Sequence, residues 1–179
     1  LYEIFMINTP WGRTGQVSDT SEETQWIQDT LLRTAAFTQS GGTFDVSLQV
    51  TVPHEFEKIA PINIGYTAGI ETTKVSPQWI DKTNSAADKV IVVSNHSKRV
   101  FEQTTYNVED QNGNKQENWG VQVPIEAVNY PVRVADPVEV NIDFKTDNNF
   151  LIVSQWGPRK NLENTIKWFV ENFRDREDV

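Results

Sequence analysis

Between Phe44 and Val52 the apolar residues Phe44, Val46, Leu48, Val50 and Val52 alternate with polar ones, and a period of two is that of a β-strand. Pro53 ends the run. Ile62–Tyr66 is strand-like, and Val90–Val93 is β-branched throughout, the composition of a strand buried on both faces of a parallel sheet. Further strands are expected over Ile4–Ile7, Val121–Tyr130 and Phe150–Val153, and Asp136–Asp147 alternates Val138, Val140, Ile142 and Phe144 as a connector or edge strand. Helices fall between them. Thr20 and Glu23 have capping-box spacing, with Ile27, Leu31 and Ala35 on one face and Gly41-Gly42 as the stop. Pro77 opens a short helix capped by Ser76, Ser94 or Asn95 caps a helix with Val100 and Phe101, and Leu162, Ile166, Phe169, Val170 and Phe173 form an amphipathic stripe. Asn107–Trp119 offers little to bury and reads as a mobile surface excursion. Strand, loop and helix in repetition predict an α/β fold, a Rossmann-like, mostly parallel sheet flanked by helices.

The composition bounds what such a fold does. The 179 residues, 37% of them hydrophobic, suffice for one ordinary domain or two small ones. A formal net charge of -9 repels phosphate backbones and anionic lipid, so neither nucleic acid nor a membrane surface is an expected partner. No stretch reaches the ~20 apolar residues of a membrane span, and the first residues lack the pattern of a signal peptide, which makes the cytoplasm the default compartment. With no cysteine and two histidines, thiolate chemistry is excluded, and no metal or cofactor is expected. The chain opens at Leu1, with its one Met at Met6. Either the start is processed, or this is a piece of a longer protein.

Two loops carry the candidate chemistry. The first, Ile64–Thr73, places glycines and small polar residues after a strand, at the carboxyl end where open α/β sheets bind ligands. It is either a ligand loop or a tight turn, and its Gly65-x-x-x-Gly69 is neither a Rossmann nor a Walker fingerprint. Within it Glu71 is a candidate base or partner of an acceptor hydroxyl, or a cap of the next helix. The second loop, Gln155–Asn164, sets Arg159 and Lys160 at the start of a helix. There dipole and side chains attract the same anion; the alternative is a solvated surface turn. His54 either reaches the cleft or lies on a surface turn, and His96 reads as an exposed residue near a helix cap. Of the tryptophans, Trp156 is the one placed to stack on a ligand.

Val52-Pro53-His54-Glu55-Phe56, Asn63–Thr73, Ser76–Ile80, Asp88–Lys98 and Gln155–Asn161 occur in the order, and with the residues, that resemble GT-B glycosyltransferases of the large retaining, family 4-like group. The resemblance runs over Val52–Phe173, and residues 1–50 match it in broad α/β character. It implies an N-terminal acceptor-side domain over residues 1–135, then a connector and the first βα unit of a donor domain over residues 136–179. It further implies transfer of a sugar from a nucleotide-sugar to a saccharide or lipid-linked acceptor. His54 and Glu71 would be catalytic, Gly69, Thr72 and Thr73 would line the acceptor cleft, and Arg159 and Lys160 would hold the donor phosphates. The chain has no Asp-x-Asp, the motif with which metal-dependent sugar transferases hold a cation. Glu163 and Glu171 have the Glu-x7-Glu spacing of the family's donor motif but fall on the first donor-domain helix, so the chain is expected to be silent alone. Its last strand and helix would then pack back on the first domain or mediate a homodimer. The competing reading is a non-catalytic sugar- or protein-binding α/β module. A sugar epimerase or dehydrogenase would need a glycine fingerprint opening its first helix, and none is visible.

Overall fold

The computed structural model describes residues 2–8, 20–68, 70–109 and 113–179. In chain order the elements are α1 (Glu22–Gln39), β1 (Val46–Val50), β2 (Ile62–Thr67), α2 (Pro77–Ala86), β3 (Lys89–Val92), α3 (Asn95–Gln103), β4 (Tyr106–Glu109), β5 (Lys115–Trp119), β6 (Ile125–Ala127) and α4 (Leu162–Phe173), with 3-10 turns at Pro53–Glu55 and Pro158–Lys160. The chain divides into two units, Leu1–Pro131 and Val132–Val179.

In the first unit β1, β2, β3 and β6 form a parallel four-stranded sheet in that order. The fold is α/β and Rossmann-like in character: α2 carries the chain from β2 to β3, and α3 with the β4–β5 hairpin carries it from β3 to β6. The register places Asn63, Gly65 and Thr67 on the same face as Val90, Val92 and Ile125. That face is buried. Phe56, Ile80, Val90, Val92 and Phe101 form its core with Val75, Val100 and Ile125, each such side chain adding about 1.5–3 kcal/mol of burial. The other face is apolar but open, with Val46, Leu48, Val50, Ile62 and Val128 all about half exposed or more.

Two residues make the buried face close-fitting. The Phe56 ring lies directly against the β2 backbone at Gly65, where any Cβ would overlap it. At the amino end of β2, Asn63 is fully buried. Its Oδ1 accepts hydrogen bonds from Ser47 Oγ (2.9 Å) and from the N–H groups of Ile59 and Ala60 (3.0 Å each), and its Nδ2 donates to the Ala60 carbonyl (2.7 Å). Its own N–H donates to Asp88 Oδ2 (2.7 Å), fixing the start of β3. Gln49 performs a similar service for the β1–β2 connection: its amide exchanges hydrogen bonds with the Glu57 backbone at 2.7 and 2.8 Å.

Several expectations are corrected. Residues 2–8 contain no strand, and Ile4 and Ile7 are exposed; the segment is held instead by Phe5, whose ring stacks on Phe37 of α1 at 4.3 Å. The cap of α1 is Ser21, not Thr20, because Ser21 Oγ accepts the Thr24 N–H. In β1 the apolar residues face outward and the polar Ser47 and Gln49 inward, since the latter bind Asn63 and Glu57. In β3, Val90 and Val92 are buried, whereas Ile91, on the opposite face of the strand, is only partly so. Within Asn107–Trp119, read as a surface excursion, the described residues form part of a hairpin: Tyr106–Glu109 pairs antiparallel with Lys115–Trp119, anchored by Tyr106 and Trp119 against the core, and residues 110–112 lie outside the described residues. Of Val121–Tyr130, Ile125–Ala127 forms the strand.

In the second unit the described residues contain no strand. Val138, Val140, Ile142 and Phe144 are exposed, and Phe150–Val153, read as a buried strand, is exposed too. A parallel strand needs a neighbouring ladder to satisfy its backbone, and no other segment of this unit pairs with it. Phe150 nonetheless meets Phe169 and Phe173 of α4 with ring centroids at 5.3 and 5.4 Å. Near the unit's end, the hydrogen bond from the Arg176 guanidinium lowers the Asp178 pKa from 3.8 to about 2. The Asp178 carbonyl and carboxylate in turn accept from the Asn148 backbone and side chain.

Candidate functional site

The carboxyl end of the first unit's sheet gathers the loops that follow β1, β2 and β3. After β1, the 3-10 turn Pro53–Glu55 is fixed by buried Pro53 and by the hydrogen bond from Thr51 Oγ1 to Glu55 Oε2. His54 is exposed on this turn, its ring roughly parallel to Trp79 of α2 at 6.4 Å. After β2, the loop is pinned at two buried points, Ile70 and Val75. Val75 donates its N–H to Thr104 Oγ1 (3.3 Å), and its carbonyl accepts from the Tyr106 hydroxyl (2.6 Å). Between the pins Glu71, Thr72 and Thr73 are exposed, and Thr72 Oγ1 donates to the Lys74 carbonyl at 2.8 Å. Gly69 lies outside the described residues.

After β3 comes Ser94, which caps α3 by accepting the Ser97 N–H at 3.1 Å. The ring of His96 crosses to the preceding loop, its Nε2 3.2 Å from the Thr72 carbonyl. A carbonyl only accepts, so this contact sets the proton on Nε2. His96 thus ties the first turn of α3 to the loop carrying Glu71, a positioning role that sequence reading assigned merely to exposure near a cap. The signal was present in the paired motifs, but only the topology makes β2 and β3 neighbours.

The second unit presents the cationic pair. Arg159 and Lys160 are exposed on the turn Pro158–Lys160, directly before α4. Asn161 between them and the helix is left-handed (φ 51°), and its side chain makes no capping bond to the helix backbone. Its Oδ1 accepts from Asn164 Nδ2 instead, at 2.8 Å. The first N–H groups of α4 therefore lie beside two cations without a side-chain cap from Asn161, an arrangement that favours an anion. Trp156 is 73% exposed upstream of this turn. Glu163 and Glu171 are both exposed on α4, and Glu171 sits 3.8 Å from Lys167.

Among the described residues no group of three or more His, Asp or Glu is placed to hold a metal ion, and no helix is long and apolar enough to cross a membrane. Compared with models of protein families, with curated proteins and with solved structures, the chain matches none.

Proposed function

We propose that the chain is the acceptor-side domain, with the opening segment of the donor domain, of a retaining GT-B glycosyltransferase that moves a sugar from a nucleotide-sugar to a saccharide or lipid-linked acceptor. The observation that carries this reading is the ordered set of motifs from Val52 to Phe173, together with their places in the fold. The Ile70–Val75 loop and the His54 turn follow strands at the carboxyl end of a parallel sheet, where α/β folds bind ligands. Arg159 and Lys160 precede a helix of the second unit.

The chemistry suits the residues. As the glycosyl bond breaks, negative charge gathers on the leaving diphosphate, and fixed cations beside helix N–H groups stabilise it. Lys160 and Arg159 would supply that charge in this reading. On the acceptor side, Glu71 would accept a hydrogen bond from the attacking hydroxyl, and His54, backed by Trp79, would orient the sugar ring. The test is to read the gene past Val179. This reading expects about 150 further residues, the usual domain scale, containing a Glu-x7-Glu on a later helix. A frame closing at Val179 would overturn it and leave the binding-module reading.

A further inference from the structure

A parallel sheet is ordinarily covered on both faces. In the first unit one face carries the core around Phe56, Ile80 and Phe101, and α1 is engaged by residues 2–8, with Phe37 stacked on Phe5 and Thr34 Oγ1 accepting the Met6 N–H at 2.9 Å. On the opposite face Val46, Leu48, Val50, Ile62, Val128 and Tyr130 are 48–66% exposed. The register sets the β1 and β2 members of this group side by side, and the Tyr130 ring lies 6.1 Å from that of Tyr66. Together they present about 550 Å² of mostly apolar surface, toward the top of the range for the largest patch on a monomer. The face also carries one charge of each sign. Lys89 is in register with Ile64, and Glu126, one strand over and two residues nearer the carboxyl end, is in register with Ile91. Neither side chain has an ion-pair partner among the described residues.

We infer that this face is the contact between two copies of the chain, sheet against sheet, related by a twofold axis that crosses the strands between the levels of Leu48 and Val50. Two such faces opposed bury about 1,100 Å², which clears the roughly 1,000 Å² that a specific interface needs. The charges select the axis. A twofold across the strands reverses their direction and keeps each strand over its counterpart, within the ~30° offset of aligned sheets. Leu48 then packs on the partner's Val50, and Lys89 lies one strand spacing, about 4.8 Å, to the side of the partner's Glu126. Long side chains close that offset, and symmetry makes the pair twice. A twofold along the strands, through the middle of the sheet, sets both charges against apolar residues instead. The contact is self-complementary, so it closes at a dimer. It goes beyond the glycosyltransferase reading, and it uses neither the ligand loops nor α4.

Sedimentation velocity of the full chain over a concentration series is the test, and a dimer that dissociates on dilution is expected. Leu48→Glu changes an exposed position, so it should leave the circular-dichroism spectrum as it is while weakening the dimer about a hundredfold, because it places a carboxylate in the apolar contact of each copy. Lys89→Glu and Glu126→Lys should each weaken it about tenfold by bringing like charges together. The chain carrying both exchanges should recover the original affinity, which separates a paired contact from mere adhesion of an apolar face. Should Leu48→Glu lose its spectrum, the charge exchange alone decides. A chain that stays monomeric at every concentration would overturn the inference and give the face to another segment of this chain or to a different protein. A dimer indifferent to a folded Leu48→Glu, or charge exchanges whose losses add in the double variant, would overturn it as well.

Discussion

Asn63→Ala should lower the stability of the N-terminal unit by about 3 kcal/mol or more, a large share of the 5–15 kcal/mol that holds a typical domain. Asn63 is fully buried, and its carboxamide serves Ser47 Oγ, the Ile59 and Ala60 N–H groups and the Ala60 carbonyl at once. Ser47 can turn toward another acceptor. The backbone groups of this partly buried turn cannot, and each one left unpaired costs up to about 1–3 kcal/mol. The connection from β1 would then lose the fixture that starts β2 in register. A urea midpoint is the measurement, and Asn63→Leu separates the causes: it restores the volume without the acceptor, so it should fall as far as alanine. A leucine variant near wild type would show that volume, not hydrogen bonding, is what Asn63 provides.

Gly65→Ala should cost about 1–3 kcal/mol, the usual penalty of overpacking, and toward the upper end because both sides of the clash are constrained. Gly65 is in the middle of β2, and the ring against it belongs to Phe56, a residue with no exposed surface. Phe56→Leu alone leaves a cavity and is also destabilising. Combined, the two changes relieve each other: the smaller side chain makes room for the new methyl, so the double variant should be more stable than the sum of the single losses predicts. Strict additivity in denaturant unfolding would place the clash elsewhere.

These two residues also mark what sequence could and could not reveal. The alternation of Phe44–Val52, the β-branched run Val90–Val93 and the cap signals of Ser76 and Ser94 identified an α/β chain, because strand period and helix capping are local properties. Which face of β1 is buried was not local. Its apolar residues look like the inner face, yet Ser47 and Gln49 turn inward to partners that lie 16 and 8 residues away. The β4–β5 hairpin was hidden for a related reason: its polar strands bury little, and Tyr106 and Trp119 secure it through contacts outside the segment. Phe150–Val153 failed in the opposite sense, an apolar run with strand character and no ladder to join.

The candidate site divides in the same way. Motif order picked out His54, Glu71, Thr72, Thr73, Arg159 and Lys160, but the residues that hold them were legible only in three dimensions. Trp79 lies beside His54, His96 reaches Thr72, and Val75 is clasped by Thr104 and Tyr106. Gly65, which sequence groups with a ligand loop, is instead a packing residue within β2.

The central claim, that the chain belongs to an enzyme using a nucleotide-sugar donor, is tested most directly by calorimetric titration of UDP, GDP and their sugars into the full-length protein, read past Val179, and into its Lys160→Ala variant. Binding of at least one nucleotide is expected, weakened about tenfold in Lys160→Ala, as for the loss of one charged contact to phosphate. Absence of nucleotide binding, or equal binding by Lys160→Ala and the unsubstituted protein, would contradict the account.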